Sequence, residues 1–131
     1  MDLLNKIFGI TNLGISKRIR QNFALYFPNA KNIEWTSQKD FAEVIFYDQD
    51  IEKIVRFDKN GNLIETRINI SPLNVPEIIQ KNLNPEFEIM NCIAVHSNES
   101  VIYELIIRDK QLIRYLATSD DKGKISTPEP L

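Results

Sequence analysis

Two stretches of the chain, ALYFPNAKNIEW at residues 24–35 and KNLNPEFEIMNC at residues 81–92, each carry a helical run into a proline and then turn strand-like. They correspond position by position. Pro28 falls on Pro85, Ile33 on Met90 and Trp35 on Cys92, all 57 positions apart. The match continues with Glu43 on Glu104, Val44 on Leu105 and Phe46 on Ile107 at a spacing of 61, then Asp58 on Asp120 and Gly61 on Gly123 at 62. Such repetition constrains a fold more than composition does, because each copy must form the same unit and bury the same face. The drift from 57 to 62 is expected to sit in longer turns of the second copy, chiefly around HSNES, where added length costs little closure entropy.

Within the first copy, Ile15, Ile19, Phe23, Tyr26 and Phe27 recur at helical spacing, Ser16 is available as a cap, and Pro28 ends the run. NIEWTS, FAEVIFY, IEKIVRF and LIETRINI follow as strands between turn signals, the last of them the hairpin pair Asn60-Gly61. In the second copy Asn74 and Glu77 have capping-box spacing, and Val75, Ile78, Ile79 and Leu83 form the apolar stripe. FEIMNCIAVH, VIYELII, QLIRYLAT and a segment around KIS then read as strands. The expected fold class is α+β: tandem duplicated α-β-β-β-β units forming an antiparallel sheet with the helices packed on one face. Residues 15–70 make the first repeat and 71–131 the second, with a short C-terminal tail, in one compact domain. Residues 1–14 precede them, where Leu3, Leu4, Ile7 and Phe8 fall on one helical face; a short amphipathic helix packed on the domain is the expectation, with a membrane-surface anchor as the alternative.

The strand registers separate two faces. A two-residue turn at Gln49-Asp50 sets Val44 against Val55, Ile45 against Ile54 and Glu43 against Arg56. A two-residue turn at Asn60-Gly61 then sets Phe57 against Ile64 and Arg56 against Glu65. Apolar residues thereby meet on one face and opposite charges alternate on the other, and a one-residue slip would exchange the faces. The helix-covered face is expected to hold Ile33, Trp35, Val44, Phe46, Val55, Phe57 and Ile64, with Leu105, Ile107, Leu112 and Leu116 as counterparts. The opposite face is expected to hold Glu43, Ile45, Tyr47, Ile54, Arg56, Glu65, Arg67, Glu104 and Tyr115, with Ile106 and Ile113 beside them. This mixture of aromatic, aliphatic and charged groups fits a protein-binding surface, and equally a partly covered sheet in which single exposed isoleucines need no explanation.

Composition removes several classes of function. A net charge of −2 supplies no basic footprint for nucleic acid. No apolar run is long enough to span a bilayer, and the first fifteen residues lack the basic and unbroken apolar regions of a signal peptide. Cys92 is the only cysteine, so no intrachain disulfide forms. His96 is the only histidine, and four residues along a strand place it about 13 Å from Cys92, too far for a thiolate–imidazole pair. DKNG at 58–61 and DDKG at 120–123 lack the later ligands of a calcium loop and read as turns. Glu43 and Glu65 flank Arg56 as an ion-pair ladder instead of an acid–base pair. No catalytic residue, cofactor site or metal site is therefore assigned, and the chain does not read as an enzyme.

FxxxFPNAKNIEW, FAEVIF, VRFDKNGNL, VPEIIQKNLNP and the later DDKGK resemble the PepSY-like, β-lactamase-inhibitor-protein-like (BLIP-like) family of small bacterial proteins over about residues 15–126. The second copy departs most, with Asn84 before the proline, Cys92 in place of tryptophan and ATSDDKG in place of the FDKNG form. The resemblance implies tandem α-β4 units, no catalytic residues, and a periplasmic or cell-surface location if an export signal has been removed; the chain as written reads as cytoplasmic. By analogy with the fold's namesake it implies a binding or inhibitory module whose partner is another protein. The alternatives are a self-associating assembly protein, such as a homodimer, and a small immunity-type protein.

Overall fold

The computed structural model describes residues 14–131, so the helix expected from Leu3, Leu4, Ile7 and Phe8 lies outside the described residues. Among these residues the architecture is α+β, with two α-helices and eight antiparallel strands whose neighbours follow chain order. The chain divides into two compact units after Thr66.

In the first unit, helix α1 (Lys17–Tyr26) starts where the Ser16 hydroxyl accepts from Ile19 N at 3.1 Å and ends as Phe27 N donates to Phe23 O, with Pro28 next. Strands β1 (Lys31–Ser37), β2 (Phe41–Asp48) and β3 (Ile51–Asp58) follow, and β4 (Leu63–Ile70) begins in this unit. Val44 lies opposite both Trp35 and Val55, Ile45 opposite Ile54, and Glu43 opposite Arg56, the expected β2–β3 register. Gln49 and Asp50 both have positive φ (53° and 66°), as the two-residue turn between these strands requires. Ile15, Ile19 and Phe23 pack onto Trp35, Ala42, Val44, Phe46, Val55 and Phe57. The Phe23 ring meets Phe46 edge-on at 4.9 Å and Trp35 edge-on at 5.3 Å.

Two expectations fail in this unit. Ile33 is not in the core: β1 bulges between Lys31 and Glu34, Asn32 takes φ 55°, and Ile33 is left exposed. Nor does Ile64 face the core. The Asp58 carboxylate accepts from the amides of Asn60 and Asn62, both at 2.9 Å, while Asp58 N donates to Asn62 O. The loop thus spans three residues, with Gly61 in the left-handed position at φ 92°. The extra loop residue turns Leu63 toward the core and leaves Ile64 40% exposed. Gly61 also lies under α1: a Cβ there would meet Arg18 Cγ and Asn22 Nδ2 at 2.9 Å, and Asn22 Nδ2 donates to Gly61 O at 2.7 Å.

In the second unit, which takes the end of β4, Ser71 caps a 3₁₀ turn at Pro72–Asn74 before helix α2 (Glu77–Asn82). The capping box expected from Asn74 and Glu77 does not form. Asn74 N is already bonded to Ser71 O, and the helix begins after Pro76 without a side-chain cap. Strands β5 (Glu88–Ser97), β6 (Ser100–Arg108), β7 (Arg114–Asp120) and the short β8 (Glu129–Pro130) complete the unit. The added length of the β5–β6 hairpin sits in its strands, not its turn: Ser97 pairs with Ser100 across Asn98-Glu99 alone. The segment expected as a strand around KIS makes a single bridge, Ile125 to Ser119, and the paired β8 comes later.

The β6–β7 register also differs from expectation. Asp109 accepts from Gln111 N at 2.9 Å and Ile113 N at 3.0 Å, and its own amide donates to Ile113 O, closing a three-residue loop like that at Asp58. Leu105 therefore faces Ala117 and Ile107 faces Tyr115. Leu112 and Leu116, expected in the core, are 67% and 38% exposed. The core consists of Val75 and Ile79 over Cys92, Leu105, Ile107 and Ala117. A third loop of this kind follows β7, where Asp120 accepts from Lys122 N and Lys124 N. There Gly123 has φ 82°, and Asn82 Nδ2 donates to Gly123 O at 3.0 Å.

Candidate binding surface

In the first unit the strand alternation that sends Ala42, Val44 and Phe46 into the core sends Glu43, Ile45 and Tyr47 to the other face. Ile54 and Arg56 join them from β3. Arg56 Nε donates to Glu43 Oε2 at 2.8 Å, and the Arg56 guanidinium lies 4.6 Å from the centre of the Phe41 ring. Arg56 is thus held by a carboxylate and an aromatic face together. Ile45 and Ile54 are half-buried opposite each other, and Tyr47 stands 40% exposed between Lys31 and Glu52. Glu65 is half-buried on β4.

In the second unit the corresponding face is more aliphatic. Glu104 lies between Ile93 and Thr118 and pairs with Arg67; Ile106 lies between Asn91 and Leu116. Ile93, Val95, Ile102, Ile106 and Leu116 make the apolar part, and Arg108 bonds Glu88 at 2.9 Å. Tyr115 is not on this face. It lies opposite Ile107, packs edge-on to Phe87 at 5.5 Å on the helix-covered side, and donates its hydroxyl to Asp109 at 3.1 Å. That hydrogen bond holds the Tyr115 pKa above its ordinary value.

The sequence-derived set omitted Phe41, Ile93, Val95, Ile102 and Leu116. Simple alternation from Ala42 and Cys92 would have reached Phe41, Ile93 and Val95. Leu116 required knowing that the preceding loop holds three residues.

Cys92 is fully buried in the second core, and burial pushes its thiol up to about 11. His96 is exposed at the far end of β5. Among the described residues no group of three His, Cys, Asp or Glu is placed to hold a metal ion. Hydrogen bonds from the Asn62, Ile113 and Lys124 amides, respectively, are the main cause lowering the carboxyl pKa of Asp58, Asp109 and Asp120, all three committed to their turns. No helix among the described residues is long and apolar enough to cross a membrane.

No family model and no curated protein matches the chain. Solved structures do. A DUF2874 family protein from Bacteroides uniformis superposes with a TM-score of 0.76 at 13% identity, covering 88% of each chain. A BLIP-like protein from Bacteroides fragilis gives 0.74 at 18% identity over 88% of this chain and 86% of that one. A protein from Bacteroides eggerthii, provisionally described as periplasmic, gives 0.70 at 14% identity over 88% of both. The fold is that of the BLIP-like and DUF2874 structures.

Proposed function

We propose that the chain is a non-catalytic protein-binding or inhibitor-like module that grips another protein through the strand face that the helix of each unit leaves open. One observation carries this reading. That face holds exposed or half-buried Ile45, Tyr47 and Ile54 in the first unit and Ile102, Ile106 and Leu116 in the second, set among cross-strand ion pairs. Apolar and aromatic groups of this size, held rigidly on strands and framed by charge, are what an interface centre uses. The burial of Cys92 supports a packing role for the one thiol.

We also read the chain as a tandem duplication, residues 15–70 and 71–131. Each unit repeats the same three devices: a bulge in the first strand after the helix, at Lys31/Glu34 and Ile89/Asn91; an aspartate-centred turn closed by a left-handed glycine; and a helix asparagine donating to that glycine's carbonyl. The PepSY-like half of the family resemblance rests on the sequence motifs. The periplasm or cell surface is the proposed location, supported by the provisional description of the B. eggerthii structure.

The test is a double variant, Tyr47→Ala with Arg56→Glu, beside Ile102→Lys in the second unit. Each should retain a cooperative melt close to that of the parent and weaken binding of a partner captured by the wild-type protein. Undiminished binding by both variants would refute the open-face reading.

A further inference from the structure

Three features that each disfavour the free protein converge on the seven residues from Arg108 to Arg114. The first is backbone. The turns at Asp58, Asp109 and Asp120 share one hydrogen-bonding scheme, in which the carboxylate accepts from the second and fourth amides after it. The left-handed position is glycine in two of them and Leu112, at φ 68°, in the third. A β-carbon is disfavoured there, and any glycine would close the loop without it. The second is exposure. The Leu112 side chain, held in that conformation, is 67% exposed, and Ile113 beside it is 48% exposed, so core packing does not account for either. The third is charge. Arg108 and Arg114 lie directly opposite each other across β6 and β7, where like charges repel. Glu88 answers Arg108 from one side only, leaving Arg108 Nε buried without an acceptor, and Arg114 is exposed with no ion pair among the described residues. Local strain and unpaired polar groups gather where a chain is shaped for something other than its own stability.

We infer that the β6–β7 hairpin tip is a preformed knob, Leu112 and Ile113 collared by Lys110 and Arg114, that enters an apolar pocket rimmed by carboxylates on a partner protein. A protein pocket fits better than a membrane surface because the tip is fixed in shape. Asp109 ties both sides of the loop and is itself tied to the Tyr115 hydroxyl at 3.1 Å. A fixed, strained presentation lowers the entropic cost of entering a shaped site, whereas a fluid bilayer has no shape to match. The inference deepens the protein-binding reading but rests on different residues.

A photo-crosslinking side chain is placed at Gln111 in one variant and at Tyr47 in another, and the protein is expressed in a Bacteroides host. The protein captured through Gln111 is identified, purified and titrated with wild type, Leu112→Gly and Arg114→Glu. Leu112→Gly should raise the melting temperature, since it relieves the backbone, yet weaken binding at least about tenfold; Arg114→Glu should weaken it with the fold intact. Equal binding by Leu112→Gly, or a lowered melting temperature, overturns the inference. So does capture through Tyr47 alone, which leaves the open-face reading standing, while capture through neither position overturns both. Sedimentation with vesicles of three parts phosphatidylcholine to one part phosphatidylglycerol is run alongside; vesicle binding lost in Leu112→Gly would replace the protein pocket with a membrane.

Discussion

Truncating Trp35 to alanine tests the core of the first unit most directly. Trp35 is 9% exposed, lies opposite Val44 and meets the rings of Phe23 at 5.3 Å and Phe57 at 6.4 Å. Removing a buried indole loses its transfer free energy and leaves a cavity that rigid neighbours close only in part, together about 3–5 kcal/mol. The aromatic pair terms, roughly 0.5–1.5 kcal/mol each, are contained in that range and should not be added to it. The surrounding Phe23, Phe46 and Phe57 rings are themselves fixed by contacts with one another, which favours the upper half. With an m-value of about 2 kcal/mol/M for a domain of this size, a loss of about 4 kcal/mol moves the urea midpoint down by about 2 M. Because Trp35 is the only tryptophan, the transition is followed by circular dichroism instead of fluorescence. Trp35→Phe, which keeps a ring in place, should recover more than half of the loss. A cost below about 1 kcal/mol would mean that the indole is not packed as described and that the first core is organised around other residues.

Asn22→Ala and Asn82→Ala each remove one helix-to-glycine hydrogen bond and should each cost about 0.5–1.5 kcal/mol in chemical denaturation. A clear cost in one and none in the other would weaken the view that the two clamps are copies. In β7, Ala117→Leu overpacks a core position and should cost about 1–3 kcal/mol, whereas Leu116→Thr should stay within about 0.5 kcal/mol; the reverse order would restore the register expected from sequence. Asp58, Asp109 and Asp120 have folded-state pKa values below the ordinary 3.8, so their contribution is present above that value and is lost as pH falls through the lowered ones. Replacing all three with asparagine should flatten the acid side of a stability-against-pH curve below about pH 4, and an unchanged slope there would show that other carboxylates set it.

Much of the first unit was legible because its pattern is unambiguous. Phe23, Trp35, Val44, Phe46, Val55 and Phe57 are large, and their neighbours on the other face carry charges or turn signals, so alternation gave the β2–β3 register residue by residue. The errors came from loop length. Asp58 and Asp109 each close a three-residue loop by taking two backbone amides, and counting only Asn60-Gly61 as a two-residue turn shifts the next strand by one residue. Size reinforces that shift: the buried residues of β7 are Ala117 and Ser119, while the larger Leu116 on the same strand and Leu112 in the loop before it are exposed. Side-chain volume argued for the wrong face. The spacing of 62 between Asp58 and Asp120 places Ala117 on Val55 and Ser119 on Phe57, so that spacing holds the correction that hydrophobicity conceals. The surface expected from sequence carries the same shift, so it includes Tyr115 and leaves out Leu116.

The strands of the second unit are apolar on both faces: Leu105 and Ile107 point to the helix, while Ile102 and Ile106 on the same strand point away. For such a strand a one-residue slip exchanges one set of isoleucines and leucines for another, so hydrophobic burial alone specifies the pairing weakly. The register must come from elsewhere, and its sources are visible at both ends of β6. The two-residue turn at Asn98-Glu99 fixes β6 against β5, and the Asp109 loop fixes it against β7 through two amide bonds to the Asp109 carboxylate and two backbone–backbone bonds, Asp109 N to Ile113 O and Leu112 N to Asp109 O. That explains why the loop needs an aspartate and a residue with positive φ. It does not explain leucine at that position, because glycine meets the same requirement at 61 and 123 with no β-carbon to accommodate. Register therefore accounts for the frame of the hairpin tip, and the exposed side chain set into it needs a cause outside the fold.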